Sequence, residues 1–233
     1  GIIQYPFFIL YLYMFNSKKD LVYGNLNKES LKYLKMDNIF TQYFEEFSNT
    51  PFNDLFQTSA EITNVIKRQR DAENSPKWKA IKKFIFQCDM DLDETLKINL
   101  KKLKIPFDDD YINFLVSTSM DLGGLVMQLK NHYQRPRPFQ VAYYTNQPLH
   151  PFETQSGNTP SYPSGHAMQG KFLTKIISSH YPKKKIELTR LSEMISDSRI
   201  IMGVHYESDN KFGELIANKL LAKDDIKKRF DLD

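Results

Sequence analysis

From Asp54 onward, apolar residues recur close to the 3.6-residue period, and that recurrence restricts the chain to a fold of amphipathic helices. In Asp54–Glu73 the repeat runs through Leu55, Ile62, Val65 and Ile66. Ser75 and Pro76 then supply a cap and a first-turn proline for a helix whose stripe is Trp78, Ile81, Phe84 and Ile85. "DLDETLKINLKKL" carries acids in its first turn and lysines in its last, as the helix dipole favours. "DDDYINFLVSTSMDLGGLVMQLKNHY" is also entered through acids. Its central Gly123-Gly124 costs about 1 kcal/mol per glycine in helix propensity, which makes sense where another helix or a ligand approaches closely. Three more helices are expected in "HAMQGKFLTKIISSHY", "IELTRLSEMISDSRIIMGV" and "SDNKFGELIANKLLAKDDIKKRF". Strand-like stretches are limited to "VAYY" and "DLVYG". The fold class is therefore all-α, in one domain over 1–233, a length that can bury a sizeable core. Within it, 1–40 reads as an apolar arm and extended region, 41–107 as accessory helices and 108–221 as a helical core.

One segment breaks the period. Gln134–Gly165 holds six prolines and two glycines, and reads as a long ordered loop or lid. Unstructured connections beyond about 15 residues are unusual in compact domains and often functional. Its aromatic residues Phe139, Tyr143, Tyr144 and Phe152 are expected chiefly to pin the loop to the body.

Charge and hydropathy exclude several classes. Thirty-two Lys and Arg against 28 Asp and Glu give +4, too mild and too dispersed for a nucleic-acid coating protein. Cys88 is the single cysteine, so no intrachain disulfide forms; this fits a reducing compartment without excluding secretion. "GIIQYPFFILYLYMFNSKK" is apolar and aromatic, but it is shorter than the roughly 20 residues of a spanning helix and is interrupted by Pro6. It reads as an arm packed on the body or clasping a second subunit, with a trimmed targeting remnant as the alternative. Tyr111–Lys130 has the length of a span, but Asp121 and Gln128 interrupt it, and mean hydropathy is -0.50. The expectation is a soluble chain, not a polytopic membrane protein, with cytoplasmic and secreted locations both open.

The residues with chemistry gather in three places. Lys130 and Arg137 flank "KNHYQRPRP", Arg199 sits in "DSRIIMGVH", and His166, His205 and Asp209 complete a set of six. A helix running through His205 and Asp209 would put both on one face, with the carboxylate holding one imidazole nitrogen and leaving the other bare as a nucleophile. Ser164 and Gly165 lie where loop turns into helix. There the unpaired first-turn amides make an anion site, and Gly165 has no side chain to obstruct an oxyanion. Arginine forks and a lysine point charge suit phosphoryl oxygens, so these residues call for an anion rather than a metal cation. His132 stands beside the first block as a pocket candidate, His150 and His180 read as surface or loop residues, and Cys88 as buried and inert.

These blocks resemble the type 2 phosphatidic acid phosphatase superfamily, which includes soluble bacterial non-specific acid phosphatases and vanadium haloperoxidases. Its signature is a lysine, six residues and Arg-Pro; then Pro-Ser-Gly-His; then Ser-Arg, five residues, His, three residues and Asp. Here these are Lys130 with Arg137-Pro138, Pro163-Ser164-Gly165-His166, and Ser198-Arg199 with His205 and Asp209, complete and in order. The resemblance covers roughly Asp108 to Leu221. It implies a helical bundle of the phosphatase/haloperoxidase type whose proline-rich loop borders the active site. It implies phosphomonoester hydrolysis without metal or cofactor: His205 as nucleophile, Asp209 as its orienter, His166 as acid then base, and Lys130, Arg137, Ser164, Gly165 and Arg199 on the phosphate. Vanadate would be the cofactor if the chain were instead a haloperoxidase. The partner implied is a small phosphorylated substrate, with peripheral membrane contact and lipid phosphate hydrolysis as a further alternative through Ile2–Phe15. One departure is "YES" where "YPS" is frequent: Glu207 adds negative charge beside a dianion site unless it turns to solvent.

Overall fold

The computed structural model describes residues 28–50, 55–154 and 156–232, and the expected N-terminal arm lies outside them. Among the described residues there is no strand. In chain order the helices are α1 Lys28–Leu34, α2 Phe44–Ser48, α3 Leu55–Glu73, α4 Trp78–Met90, α5 Leu92–Lys102, α6 Asp109–Tyr133, α7 Pro138–Tyr144, α8 Gly165–His180, α9 Lys185–Ile201, α10 Glu207–Leu221 and α11 Asp224–Phe230. None of the described helices is long and apolar enough to cross a membrane.

Helix α8 organises the rest because its apolar residues face two ways. Met168, Phe172 and Ile176 pack with Leu125 and Leu129 of α6 and with Phe212 and Ile216 of α10. Leu173 and Ile177 turn to Leu188, Leu191 and Ile195 of α9 and to Leu96 and Leu100 of α5. A helix apolar on both sides must be buried on both, and full burial of each such side chain is worth about 1.5–3 kcal/mol. Besides α5, the segment 41–107 is joined to the body by α3 and α4. Ile62 and Val65 cluster with Val141, Leu149, Ile200 and Tyr206, and Ile85 with Met202 and Val204.

Helix starts follow the acidic entries. Asp91 accepts from the Glu94 amide at 2.8 Å and Asp108 from the Tyr111 amide at 2.8 Å, each satisfying a first-turn donor. The glycine pair in α6 is a close approach, as its cost suggested. A Cβ on Gly123 would stand 2.9 Å from the ring of Tyr33 in α1, and one on Gly124 3.1 Å from Met36 Cβ.

Four details differ from the sequence reading. Helix α4 begins at Trp78, because Ser75 and Pro76 form a turn in which Ser75 Oγ accepts from the Lys77 amide at 3.2 Å. "VAYY" is helical within α7, where Pro138 sets the first turn and Gln140 Oε1 accepts from the Arg137 amide at 2.6 Å. The last helical stretch is two helices, α11 being capped by extended Lys223 and led by Asp224 and Asp225, with Asp225 tied to Tyr43 Oη at 2.5 Å and Gln42 Nε2 at 2.8 Å. Finally, α10 starts at Glu207, so His205 precedes the helix that holds Asp209.

The proline-rich segment is an ordered loop after α7. Gln69 of α3 clamps it, donating to the carbonyls of His150 at 2.7 Å and Ile201 at 3.1 Å while accepting from the His150 amide at 3.2 Å. Phe152 packs against Trp78 and Phe86, ring centres 5.8 Å apart, and Phe139 joins the α3 and α4 clusters. Those two aromatics pin the loop, whereas Tyr143 is exposed.

Helix α10 meets the start of α8 at Gly213, where a Cβ would fall 2.6 Å from the Ser164 carbonyl oxygen and 3.2 Å from the Met168 amide. Backbone atoms cannot move aside as a flexible side chain can. Gly213→Ala is therefore expected to destabilise the protein by about 1–3 kcal/mol in urea denaturation, despite alanine's advantage of about 1 kcal/mol in helix propensity. Unchanged stability would show that this contact is not fixed.

Candidate active site

A cavity of about 310 Å³ opens between α6, the loop and the start of α8, with Lys130, Arg137, Gly165, His166 and His205 on its wall. Each comes from an element boundary. Lys130 is in the last turn of α6, Arg137 caps α7, and Gly165 and His166 open α8. Arg199 is in the last turn of α9, and His205 sits in the short connection to α10.

His205 is held from both ring nitrogens. Nδ1 lies 3.1 Å from Asp209 Oδ2 and Nε2 2.8 Å from Arg137 Nη1. A guanidinium only donates, so Nε2 carries the lone pair and Nδ1 the proton, which it donates to Asp209. The shared helix face anticipated for the pair is absent. Instead Asp209, in the first turn of α10, reaches back over the helix end and also accepts from the Tyr206 amide at 2.8 Å. Arg135 Nη1 at 2.5 Å and the Ser161 hydroxyl complete its partners.

The cations are pre-positioned by backbone and side-chain oxygens. Arg137 donates through Nε to the Thr159 carbonyl at 2.8 Å and through Nη1 to that of Val204 at 2.9 Å. Nη2 donates to the Ser156 carbonyl and Thr159 Oγ1, both at 3.1 Å. Lys130 Nζ donates to the Pro160 carbonyl. Arg199 Nη2 lies 2.9 Å from Asp89 Oδ1 and 2.8 Å from Ser156 Oγ, and Asp89 in turn accepts from Thr154 Oγ1 at 2.7 Å. Ser164 is fully buried, its Oγ capping α8 by accepting from the Ala167 amide at 3.4 Å. Gly165 faces the cavity, with Val126 Cγ1 3.2 Å from where a Cβ would stand.

Burial together with this crowd of positive charge shapes the protonation states. Burial first, then Arg199, pushes His166 well below the usual histidine range, opposed by Asp89 and by its hydrogen bond to the Cys88 backbone. Burial, then Arg137, Lys130 and Arg199, does the same to His205. Burial and then Arg137 push Lys130 well down, with Asp209 opposing. Both shifts favour the neutral imidazole.

The structure brings together Lys130, Arg137, Gly165, His166, Arg199, His205 and Asp209, with Ser164 beneath them as the cap. His132 stays outside, exposed and edge-on to Phe44 and Tyr133. His150 and His180 are exposed, and Cys88 is buried with its thiol pushed up by burial. Sequence reasoning passed over Arg135, Ser161, Asp89 and Glu61. The repeated "RPRP" was the one available signal for Arg135, whereas Asp89 and Glu61 lie on α4 and α3, far from any motif. Glu207 turns away, pairing with Lys211 at 2.8 Å and accepting from Asn64 at 2.9 Å, and the Lys211 hydrogen bond holds its carboxyl below the usual range. An exposed pair of this kind contributes about 0–1 kcal/mol. Glu207→Gln is expected to leave the pH profile of turnover where it is, and a shifted profile would mean that its charge reaches the cavity.

Similarity to known proteins falls on the same stretch of chain. Residues 111–220 match the family model of the PAP2 superfamily. The chain is 27% identical over 154 residues to a non-specific acid phosphatase of Salmonella typhimurium, covering 62% of this chain and 58% of that protein. It is 28% identical over 127 residues to an acid phosphatase of Zymomonas mobilis, covering 54% and 46%. A non-specific acid phosphatase of Salmonella typhi is 28% identical over 105 residues, covering 44% and 41%. The chain thus spans about half the length of the curated relatives it matches. From Tyr111 to Leu220, the stretch that carries both cavity histidines, Asp209 and the three cations, this chain is similar to the PAP2 superfamily.

Proposed function

We propose that this chain hydrolyses phosphomonoesters through a phosphohistidine on His205, without a metal. The observation that carries the proposal is the setting of His205: its Nδ1 on Asp209, its Nε2 beside Arg137 in a cationic cavity shared with His166. Similarity to acid phosphatases supports the same reaction class.

When a phosphoryl group enters, Arg137 Nη1 turns from Nε2 to a phosphoryl oxygen, freeing the lone pair. Lys130 and Arg199 hold the remaining non-bridging oxygens, with the Gly165 amide at the start of α8. Nε2 attacks phosphorus, the ester P–O bond breaks, and Asp209 stabilises the cationic imidazole through the Nδ1 proton. His166 donates its proton to the departing alkoxide. Now neutral, it removes a proton from water, which attacks phosphorus, breaks the P–N bond and releases inorganic phosphate. Fixed side-chain charge takes the role that Mg²⁺ has in kinases.

The same donor set fits vanadate, also a tetrahedral oxyanion. In the haloperoxidase reading His205, Lys130, Arg137 and Arg199 would hold it, and bound vanadate would supply peroxide activation for halide oxidation. Peripheral lipid phosphate hydrolysis rests on Ile2–Phe15, outside the described residues.

The pH dependence follows from the depressed histidines. His205 attacks only when neutral, so kcat/KM falls on the acid side, at a pH below the ordinary histidine range of about 6.5. His166 is neutral in the free cavity and gains its proton with the substrate dianion, so alkaline conditions remove the acid. A bell with its optimum below neutrality is expected, and a monotonic rise from about pH 5 to pH 8 would contradict it. The direct test is turnover of para-nitrophenyl phosphate in EDTA across about pH 4 to 9. His205→Ala should lose roughly 10³-fold or more. His166→Ala should impair alkyl phosphates more than the nitrophenyl ester, whose leaving group needs no proton. Equal activity in wild type and His205→Ala would remove the nucleophile assignment. If wild type is inert with phosphate esters but oxidises bromide with vanadate and peroxide, the haloperoxidase reading replaces this one.

A further inference from the structure

We propose that Glu61 and Arg135 form a positioning pair that sets the charge and orientation of Asp209, making α3 part of the machinery that serves His205; this rests on the phosphatase reading above. Arg135 is one of the six unspecified residues between Lys130 and Arg137, and Glu61 lies outside the segment 111–220 that matches the family model.

Arg135 is buried in the α6–α7 link and grips three oxygens. Nη1 lies 2.5 Å from Asp209 Oδ1 and 2.7 Å from Ser208 Oγ, and Nη2 lies 2.7 Å from Glu61 Oε2. Its guanidinium centre lies 3.9 Å from the centre of the Tyr206 ring, which fixes its plane. Glu61 in turn accepts from the Ser208 amide at 2.9 Å and the Ser208 hydroxyl at 2.7 Å, so one carboxylate fastens both Arg135 and the first turn of α10. The chain of contacts runs Glu61, Arg135, Asp209, His205, and neither Glu61 nor Arg135 lines the cavity. They stand behind Asp209, which touches Arg135 on one oxygen and His205 on the other.

The charges around these groups give the pair a sign. His205 faces Asp209, Arg137, Lys130, Arg199 and His166. Asp209 faces His205, Arg135 and Lys130, and Arg135 faces Glu61, Asp209, Tyr206 and Tyr162. Burial raises Asp209, and Arg135 is the first group to oppose that rise. Without Arg135 the Asp209–His205 couple holds its proton more tightly. Without the Glu61 charge, Arg135 acts on the couple unopposed and the proton is held less tightly.

The test is the acid limb of kcat/KM with para-nitrophenyl phosphate in three variants, with the His205 ring titrated in parallel by NMR of histidine-labelled protein. Arg135→Met should move the limb up by about 1 pH unit and lower kcat roughly tenfold or more with KM little changed. Glu61→Gln should move it down. Arg135→Lys should restore the wild-type limb while leaving kcat low, because a point charge replaces a fork. Opposite shifts in the first two variants support the pair. A fixed limb in folded Arg135→Met, or shifts of the same sign in both, would overturn it. If Arg135→Met does not fold, Glu61→Gln decides alone, a downward limb supporting the pair and an unmoved one overturning it. Wild-type protein that does not turn over removes the phosphatase reading, while the ring titration, which needs no turnover, still judges the pair on the same signs.

Discussion

Asp209 has no exposed surface, and a buried carboxylate is stable only when its oxygens are met by donors in good geometry. Its donors come from separated parts of the chain: Arg135 from the link after α6, Ser161 from the proline-rich loop, His205 from the turn before α10, and the Tyr206 amide from the helix end. The Asp209 carbonyl also accepts from the Ser164 amide at 3.1 Å, which ties the start of α8 to the same residue. Effective desolvation of such an ion costs several kcal/mol, so the loop, α8 and α10 can adopt their positions only together. The close approach at Gly213 is the steric counterpart of that electrostatic constraint.

The cavity beside it has the opposite problem. Burial disfavours the charged forms there, and Lys130, Arg137 and Arg199 add their mutual repulsion, so that Lys130 and both histidines are lowered. Carbonyls of Ser156, Thr159, Pro160 and Val204, with Asp89, hold the cations in place without neutralising all of them. A site of this kind is organised before a ligand arrives, so an oxyanion meets aimed donors and relieves their repulsion. The proline-rich loop contributes carbonyl and hydroxyl oxygens to the site, which explains why Gln69, Phe139 and Phe152 anchor it.

Much of the fold was legible in local sequence. Acids at Asp91 and Asp108 marked helix starts that the caps reproduce, and Ile62 and Val65 of one stripe and Ile85 of the next are buried, while Ile66, Trp78, Ile81 and Phe84 are half-buried. The glycine pair at 123–124 signalled a close neighbour, and Tyr33 and Met36 supply it. Reading failed where short-range preferences are evenly balanced. "VAYY" has strand-like residues, but Pro138 and Gln140 initiate a helix through it, and Ala222-Lys223 breaks a periodic stretch because Asp225 finds partners in the segment 41–43.

The sequence by itself determined the helical class and singled out the candidate set that the fold brings together, because periodicity, caps and the spacing of Lys130, Arg137, His166, Arg199, His205 and Asp209 are properties of the chain read in order. Only the tertiary structure decided how His205 meets Asp209, which is across a helix end and not along a helix face. It alone revealed Glu61, Arg135, Ser161 and Asp89 as their supports. A buried charge is stabilised by whatever donors the fold brings near it. Glu61 and Ser208 are 147 residues apart in sequence yet share a hydrogen bond, and no local pattern encodes that meeting.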